Sequence, residues 1–232
     1  MDISTFVAAS AHDMKNSVSV IAAYLEDALQ QLARTDAGQP SAAALSTAQA
    51  LYETQRVNGN LVQLMAIFKI EEGMYPFEPQ EVALDEFADE LLGRVRPLVA
   101  LKGLDLQCDI QADMAGWIFD HDLIGSVVMQ SLFNAVRYAS HTVRLSMHVT
   151  DRGLEIEVAD DGQGFPGFML EQGFPSRQGI DTRTGSTGLG LYFSRLAAGL
   201  HRRGDRAGST RLANGGASTG DLAGGHFIVE LP

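Results

Sequence analysis

Apolar residues in the first part of the chain recur at every third or fourth position. Val7, Ala11, Met14, Val18, Ile21, Leu25, Ala28 and Leu32 alternate steps of four and three without a break, the spacing that keeps side chains turned toward a partner helix. A helix from residue 2 to about 34 is predicted, ended by the breakers in Thr35-Asp36-Ala37-Gly38-Gln39-Pro40-Ser41. A second helix follows from about Ser41 to Glu72, with Leu45, Ala48, Leu51, Tyr52, Leu61, Val62, Met65 and Phe68 as its stripe. Two antiparallel helices joined by a short loop cannot bury both seams alone, so pairing with a second copy into a four-helix bundle is expected.

Gly73, Pro76 and Pro79 close this region, and the long helical period gives way to short mixed segments. The chain is therefore divided into residues 1–75, a helical hairpin, and residues 76–232, a second domain. Strands are expected at Gln80 to Ala83, Leu104 to Ile110 and Gly116 to Phe119, and helices from Leu84 to Leu101 and from about His121 to Tyr138. A hairpin pairs Thr142 to Val149 with Leu154 to Ala159. A helix from about Gly188 to Arg203 and a closing strand from Gly225 to Leu231 complete the pattern. The fold class is α+β: a helical hairpin followed by an α/β sandwich. Leu104, Leu106, Cys108 and Ile110 share one strand face, which makes Cys108 a small buried apolar residue. Residues 204–225, rich in Gly, Ala, Ser and Thr, read as a mobile hairpin or loop.

Composition narrows the function. The 232 residues are 45% hydrophobic and carry 17 basic against 29 acidic side chains, a formal charge of −12. That balance argues against a nucleic-acid surface, which needs clustered Lys and Arg. One cysteine permits no intrachain disulfide. No apolar run reaches the roughly 18 residues of a membrane span, and no basic segment followed by an apolar block marks a signal peptide, so a cytoplasmic location is expected. With His12 only eleven residues after Met1, no sensing domain is expected ahead of the first helix.

Chemistry-bearing residues gather at four places. His12 in His12-Asp13-Met14-Lys15-Asn16 sits beside a seam position, so its imidazole is turned about 100° away from the partner helix. Asn16 lies one turn later and Asp13 is adjacent. On the helix ending at Tyr138, Gln130, Asn134, Arg137 and Tyr138 fall three to four residues apart along one stripe; amides, a guanidinium and an aromatic ring suit a metal, a phosphate and a base. Asp160-Asp161-Gly162-Gln163-Gly164 follows an apolar strand, where a fixed carboxylate can accept a hydrogen bond from an exocyclic amine and glycines allow close backbone approach. Gly185-Ser186-Thr187-Gly188-Leu189-Gly190-Leu191 opens a helix, presenting backbone N–H groups to phosphate. Between the last two, Phe165 to Thr184 has little periodicity, carries Arg177 and Arg183, and reads as a lid.

Taken in order and spacing, these elements resemble the sensor histidine kinase family of two-component signalling, over essentially all 232 residues. HDMKN resembles its phosphoacceptor box, FNAVRY its asparagine box, DDGQG and GSTGLGL its two glycine boxes, and HFIVELP its terminal strand. The resemblance implies a dimerisation and histidine-phosphotransfer bundle followed by an ATP-binding domain of the Bergerat type. It makes His12 the phosphorylated residue, Asp13 its acid or base, and Asn16 the polar residue used in dephosphorylating a partner. It makes Asn134 and Gln130 the Mg²⁺ ligands, Arg137 a phosphate contact, Tyr138 a neighbour of adenine and Asp160 the partner of the adenine amine. Gly162, Gly164, Arg183, Thr187, Gly188, Leu189 and Gly190 fall in the loops around ATP. Gln130 departs from the pattern, since the family usually carries a second asparagine there. The implied activity is ATP-dependent autophosphorylation of His12 and transfer to an aspartate of a response regulator receiver domain, in a homodimer with a separate sensory partner. Two other readings are a phosphorelay or phosphatase adaptor with a degenerate ATP-binding domain, and an ATPase of the gyrase or chaperone type.

Overall fold

The computed structural model describes residues 3–35, 41–111, 116–172, 188–215 and 222–232, the side chains of 3–13 and 33–35 excepted. The chain divides into two compact units, residues 1–73 and 74–232.

The first unit is a helical hairpin of α1 (Ile3–Thr35) and α2 (Ala42–Glu71). The Ser41 side chain accepts from the Ala44 N–H and caps the start of α2, satisfying one of the donors that a helix leaves unpaired there. Asn58 and Gly59 do not interrupt α2. The seam predicted on α1 splits in two. Val18, Ala22, Leu25, Leu29 and Leu32 are half-buried, whereas Met14 and Ile21 remain 51% and 50% exposed. One helix of the hairpin covers only about half of a wide apolar face, and Val20 and Tyr24 lie on the uncovered part at 55% and 74% exposure. On α2, Ala44, Ala48, Leu51 and Tyr52 are buried while Leu45 is exposed, so the buried stripe is displaced by one residue at its start.

The second unit runs β1 (Gln80–Ala83), α3 (Leu84–Lys102), β2 (Asp105–Ile110), β3 (Gly116–Phe119), α4 (His121–Tyr138), β4 (Thr142–Thr150), β5 (Gly153–Asp160), α5 (Gly167–Gln172), α6 (Leu189–Leu200), β6 (Arg202–Arg203), β7 (Arg206–Ala207), β8 (Ser209–Asn214) and β9 (Gly225–Leu231). Among the described residues a five-stranded sheet has the order β2-β4-β5-β9-β8. Its β2–β4 pair is parallel and the other pairs are antiparallel. Helices α3, α4 and α6 lie along one face, α3 against β2, α4 against β4 and β5, and α6 against β8 and β9. Strand alternation sends Leu145, Met147, Ile156 and Val229 to that face, where they are almost fully buried.

Two expectations are corrected. Cys108 shares the helix-facing side with Leu106 and Ile110, but it is exposed, because β2 is the outermost strand and the helix layer ends there. Within residues 204–225 the chain forms β7 and the ladder strand β8, which pairs with β9 from Ser209↔Glu230 to Asn214↔Gly225. The last helix accordingly stops at Leu200 and gives way to the β6–β7 hairpin.

The start of this unit is tied down at the N-terminus of α4. Asp120 caps that helix by accepting from Leu123 N–H at 2.9 Å, and its other oxygen accepts from Glu78 N–H at 3.1 Å. The Asp120 N–H donates to Nε2 of buried His201 at 3.0 Å, and Phe77 packs edge-on against the same imidazole. Nδ1 of His201 lies 2.9 Å from the Ala197 carbonyl, so that nitrogen donates, Nε2 accepts, and the ring is neutral. Burial pulls its pKa below the ordinary 6.5, against smaller upward pulls from Ala197 and Asp120. The unfolded chain therefore binds this proton more readily than the folded one, and stability present above pH 6.5 is lost as pH falls toward the depressed value. The denaturation midpoint should decline with acidification below pH 6.5, and His201→Gln should flatten that part of the profile while lowering stability throughout.

Candidate nucleotide site

Asp160 ends β5 and is buried, 7% exposed. Its Oδ1 accepts from the Gly162 N–H at 2.8 Å. Burial pushes its pKa above the ordinary carboxylate value, and the Gly162 and Gly225 N–H groups offset this in part. The backbone crowds it from two sides. A Cβ on Gly162 would run into the Tyr138 carbonyl, and one on Gly224 would stand 2.5 Å from the Asp160 carbonyl oxygen. Gly224 N–H donates to that carbonyl at 3.0 Å, fixing the entry to β9 against the end of β5. Side chains other than hydrogen would prise these segments apart.

Asp161 points the other way. Its carboxylate accepts from the N–H groups of Ser140, His141 and Thr142 at 2.9 to 3.0 Å, so it fastens the turn between α4 and β4. Burial raises its pKa, but these backbone donors outweigh burial and hold it below the ordinary value. Across the loop, Asn214 of β8 grips the Phe165 backbone with both ends of its amide, accepting from N–H at 2.7 Å and donating to C=O at 2.9 Å. Asp161, Asn214 and the Gly224-Gly225 pair were not singled out by sequence. The two glycines at the start of the closing strand were the available signal, while Asn214 sits in a stretch without one.

Along α4, Gln130 is half-buried while Asn134, Arg137 and Tyr138 are exposed, above a buried face that includes Val128, Leu132, Ala135 and Val136. The Arg137 guanidinium lies 5.3 Å from the centre of the Tyr138 ring. Lys102 Nζ donates to the Val136 carbonyl at 2.9 Å, closing the end of the helix. Helix α6 packs against α4 and begins after Gly188, which has φ 62° and gives no side-chain cap. Among the described residues the first N–H groups of α6, from Leu189 and Gly190, thus have no capping side chain to compete with a bound anion. Gly164 and Gly162 lie in the loop after β5. Arg183 and Thr187 lie outside the described residues. In the first unit His12 and Asp13 fall on α1 with side chains outside the described residues, and Asn16 is exposed on the same helix.

A buried acceptor among glycines, an amide-bearing helix and a helix start without a side-chain cap among the described residues are the kinds of group that suit a purine and a phosphate. Residues 119–232 match the family of histidine kinase-, DNA gyrase B-, and HSP90-like ATPases. The adaptive-response sensory kinase SasA of Crocosphaera subtropica is 28% identical over 117 residues, 49% of this chain and 31% of that protein. SasA of Synechocystis sp. is 25% identical over 201 residues, 82% of this chain and 51% of that protein. The domain at residues 119–232 is of that ATPase family, and the chain as a whole is similar to sensory histidine kinases. It spans about a third to a half of these relatives' length. The fold agrees: full-length ShkA, in complex with AMPPNP, matches with TM-score 0.64 at 15% identity over 98% of this chain and 45% of that one. The Acinetobacter baumannii histidine kinase AdeS matches with TM-score 0.57 at 14% identity over 95% and 96%.

Of these two successive carboxylates, Asp160 is held among the glycines at the end of β5, while Asp161 clamps the α4–β4 turn. Asp161→Ala should lower the stability of the second unit by about 1–3 kcal/mol, the scale for losing hydrogen bonds to a charged group. Denaturant unfolding followed by circular dichroism measures this, and a loss near zero would mean the turn holds without its clamp.

Proposed function

We propose that this chain is an ATP-dependent protein histidine kinase that phosphorylates its own His12 and passes the phosphoryl group to an aspartate of a response regulator receiver domain. The observation that carries the reading is the Asp160 cradle with the uncapped α6 start, in a domain joined to the helix that bears HDMKN. Asp160 accepts a hydrogen bond from the adenine amine, Tyr138 offers its ring beside the base, and Gly162 and Gly164 let the loop pass close to it. Arg137 and the N–H groups of Leu189 and Gly190 meet the phosphates, with Gly188, Thr187 and Arg183 on the connecting segment.

Mg²⁺ suits the donor set. Asn134 and Gln130 offer neutral amide oxygens one turn apart on α4, and Mg²⁺ favours a few oxygen ligands completed by phosphate and water. Among the described residues no group of three or more His, Cys, Asp and Glu could hold a metal alone, in keeping with a site completed by the nucleotide. When bound, the ion neutralises charge on the transferring group.

In the reaction an N–P bond forms between the His12 imidazole and the γ-phosphorus, the bond to the bridging oxygen breaks, and ADP leaves. An imidazole is largely neutral at pH 7, with an ordinary pKa of about 6.5. Asp13 takes the ring proton or orients the ring, and Asn16 assists hydrolysis of the phosphorylated receiver. The uncovered apolar residues of the hairpin, Met14, Ile21 and Tyr24 on α1 with Leu45, Val57 and Leu64 on α2, support a homodimer through a four-helix bundle. No described helix is long and apolar enough to cross a membrane; the reading assigns the chain to the cytoplasmic side, answering a separate sensory partner.

Incubation with γ-labelled ATP and Mg²⁺ should give a label that is acid-labile and base-stable, absent from His12→Ala. Asn134→Ala should weaken Mg²⁺-dependent ATP binding by roughly tenfold or more, about 1.4 kcal/mol. A chain that neither binds ATP nor takes label would be the phosphorelay adaptor instead. Ile21→Glu should shift the sedimentation coefficient from dimer to monomer; an unchanged dimer would place the interface elsewhere.

A further inference from the structure

The opposite end of the sheet carries a second concave site. The β4–β5 turn, the β6–β7 hairpin and Trp117 of β3 enclose an open cavity of about 350 Å³, lined among others by Trp117, Arg152, Arg203, Arg206 and Pro232. Val143 pairs with Asp160 at one end of the β4–β5 ladder and Thr150 with Gly153 at the other. Seven residues of strand, about 23 Å, therefore separate this cavity from the Asp160 cradle.

In a chain of net charge −12, three guanidinium groups converge here. Arg203 and Arg206 are direct cross-strand partners in the β6–β7 hairpin, a placement in which like charges repel. Arg152 lies 3.4 Å from Glu230. Arg206 donates only to a neutral acceptor, the Asp151 carbonyl, at 2.9 Å. Arg203 is exposed and has no carboxylate partner among the described residues. Asp151, whose side chain lines the same turn, is the opposing charge. Trp117 lines the same cavity; it is half-buried, and its indole N–H has no acceptor among the described residues. Local rules broken without a structural return mark places where a ligand completes the arrangement.

We propose that this cavity binds a small molecule in which an oxyanion, phosphoryl or carboxylate, is joined to a flat apolar ring. The anion meets Arg203 and Arg206, whose planar forks suit oxyanions, and the ring packs on Trp117. The volume lies within the usual range for small-ligand sites of about 300–1,000 Å³. This site is independent of the nucleotide reading and stands if that reading fails.

Trp117 is the one tryptophan in the chain, so intrinsic fluorescence of the full chain reports this cavity and not the nucleotide site. Phenyl phosphate and benzoate serve as probes, with inorganic phosphate as the ringless control. We expect a saturable change in Trp117 emission, weaker binding of inorganic phosphate than of the ring-bearing probes, and at least roughly tenfold weaker binding in Arg203→Ala. The Arg203 side chain has no hydrogen bond or ion pair among the described residues and faces the like-charged Arg206 across the hairpin, so this variant should melt no lower than the parent. A response to phenyl phosphate alone assigns a phosphoryl ligand, and an equal response to benzoate a carboxylate. No saturable change with either probe, or an undiminished response in Arg203→Ala, overturns the proposal.

Discussion

A carboxylate buried at the end of a strand has to find donors, and in this protein they come from the backbone. Asp160 accepts from the glycine that follows two residues later, and its own carbonyl receives the Gly224 N–H. That requirement brings the end of β5, the loop after it and the start of β9 within backbone contact, where no side chain fits. Strand alternation then sends the neighbouring Asp161 to the opposite side, where it gathers the N–H groups of the α4–β4 turn. Two successive acids thus hold three separate chain segments at one point, beside the candidate nucleotide site.

The same strands carry a second buried polar layer on the face away from the helices. His226 and Glu157, both inaccessible, approach to 2.8 Å, and the other ring nitrogen of His226 lies 2.9 Å from the Leu222 carbonyl. Both ring nitrogens face acceptors, so both donate and the imidazole is charged. Burial lowers its pKa, but Glu157, the Leu222 carbonyl and Asp160 outweigh it and the net direction is upward. His201 is the reverse case, neutral because a backbone N–H needs its second nitrogen. A buried ion pair of this kind is a poor source of stability but a strict one for position, since either partner alone is left unsatisfied. Its position matters here, for His226 follows directly on the glycines that pack against Asp160.

Much of this was legible in the chain. Helical periodicity located α1 and α2, and short apolar runs bounded by turn residues located the β4–β5 hairpin and β9; β5 and β9 are buried along nearly their whole length. β8 was not legible. Ser209 to Asn214 contains one large apolar residue, Leu212, and the strand is held mainly by its ladder to β9, which composition does not record. The exposure of Cys108 depends on where the helix layer stops, and the split seam of α1 depends on how much of a wide apolar face one neighbouring helix can cover. Of the candidate site, Asp160 and the glycines that follow it stood out as a local motif. Asn214 was not, since its role arises from meeting Phe165, forty-nine positions away in sequence.

The outermost position of β2 has a bearing on how copies of this chain can meet. Asp105 and Asp109 are exposed along that open edge, with Gln107 half-exposed between them. A second β2 laid alongside in parallel register would set like charge against like charge at both acids. Such acidic edge residues act as gatekeepers against strand-to-strand aggregation, so the sheet of one copy is kept from growing into its neighbour's.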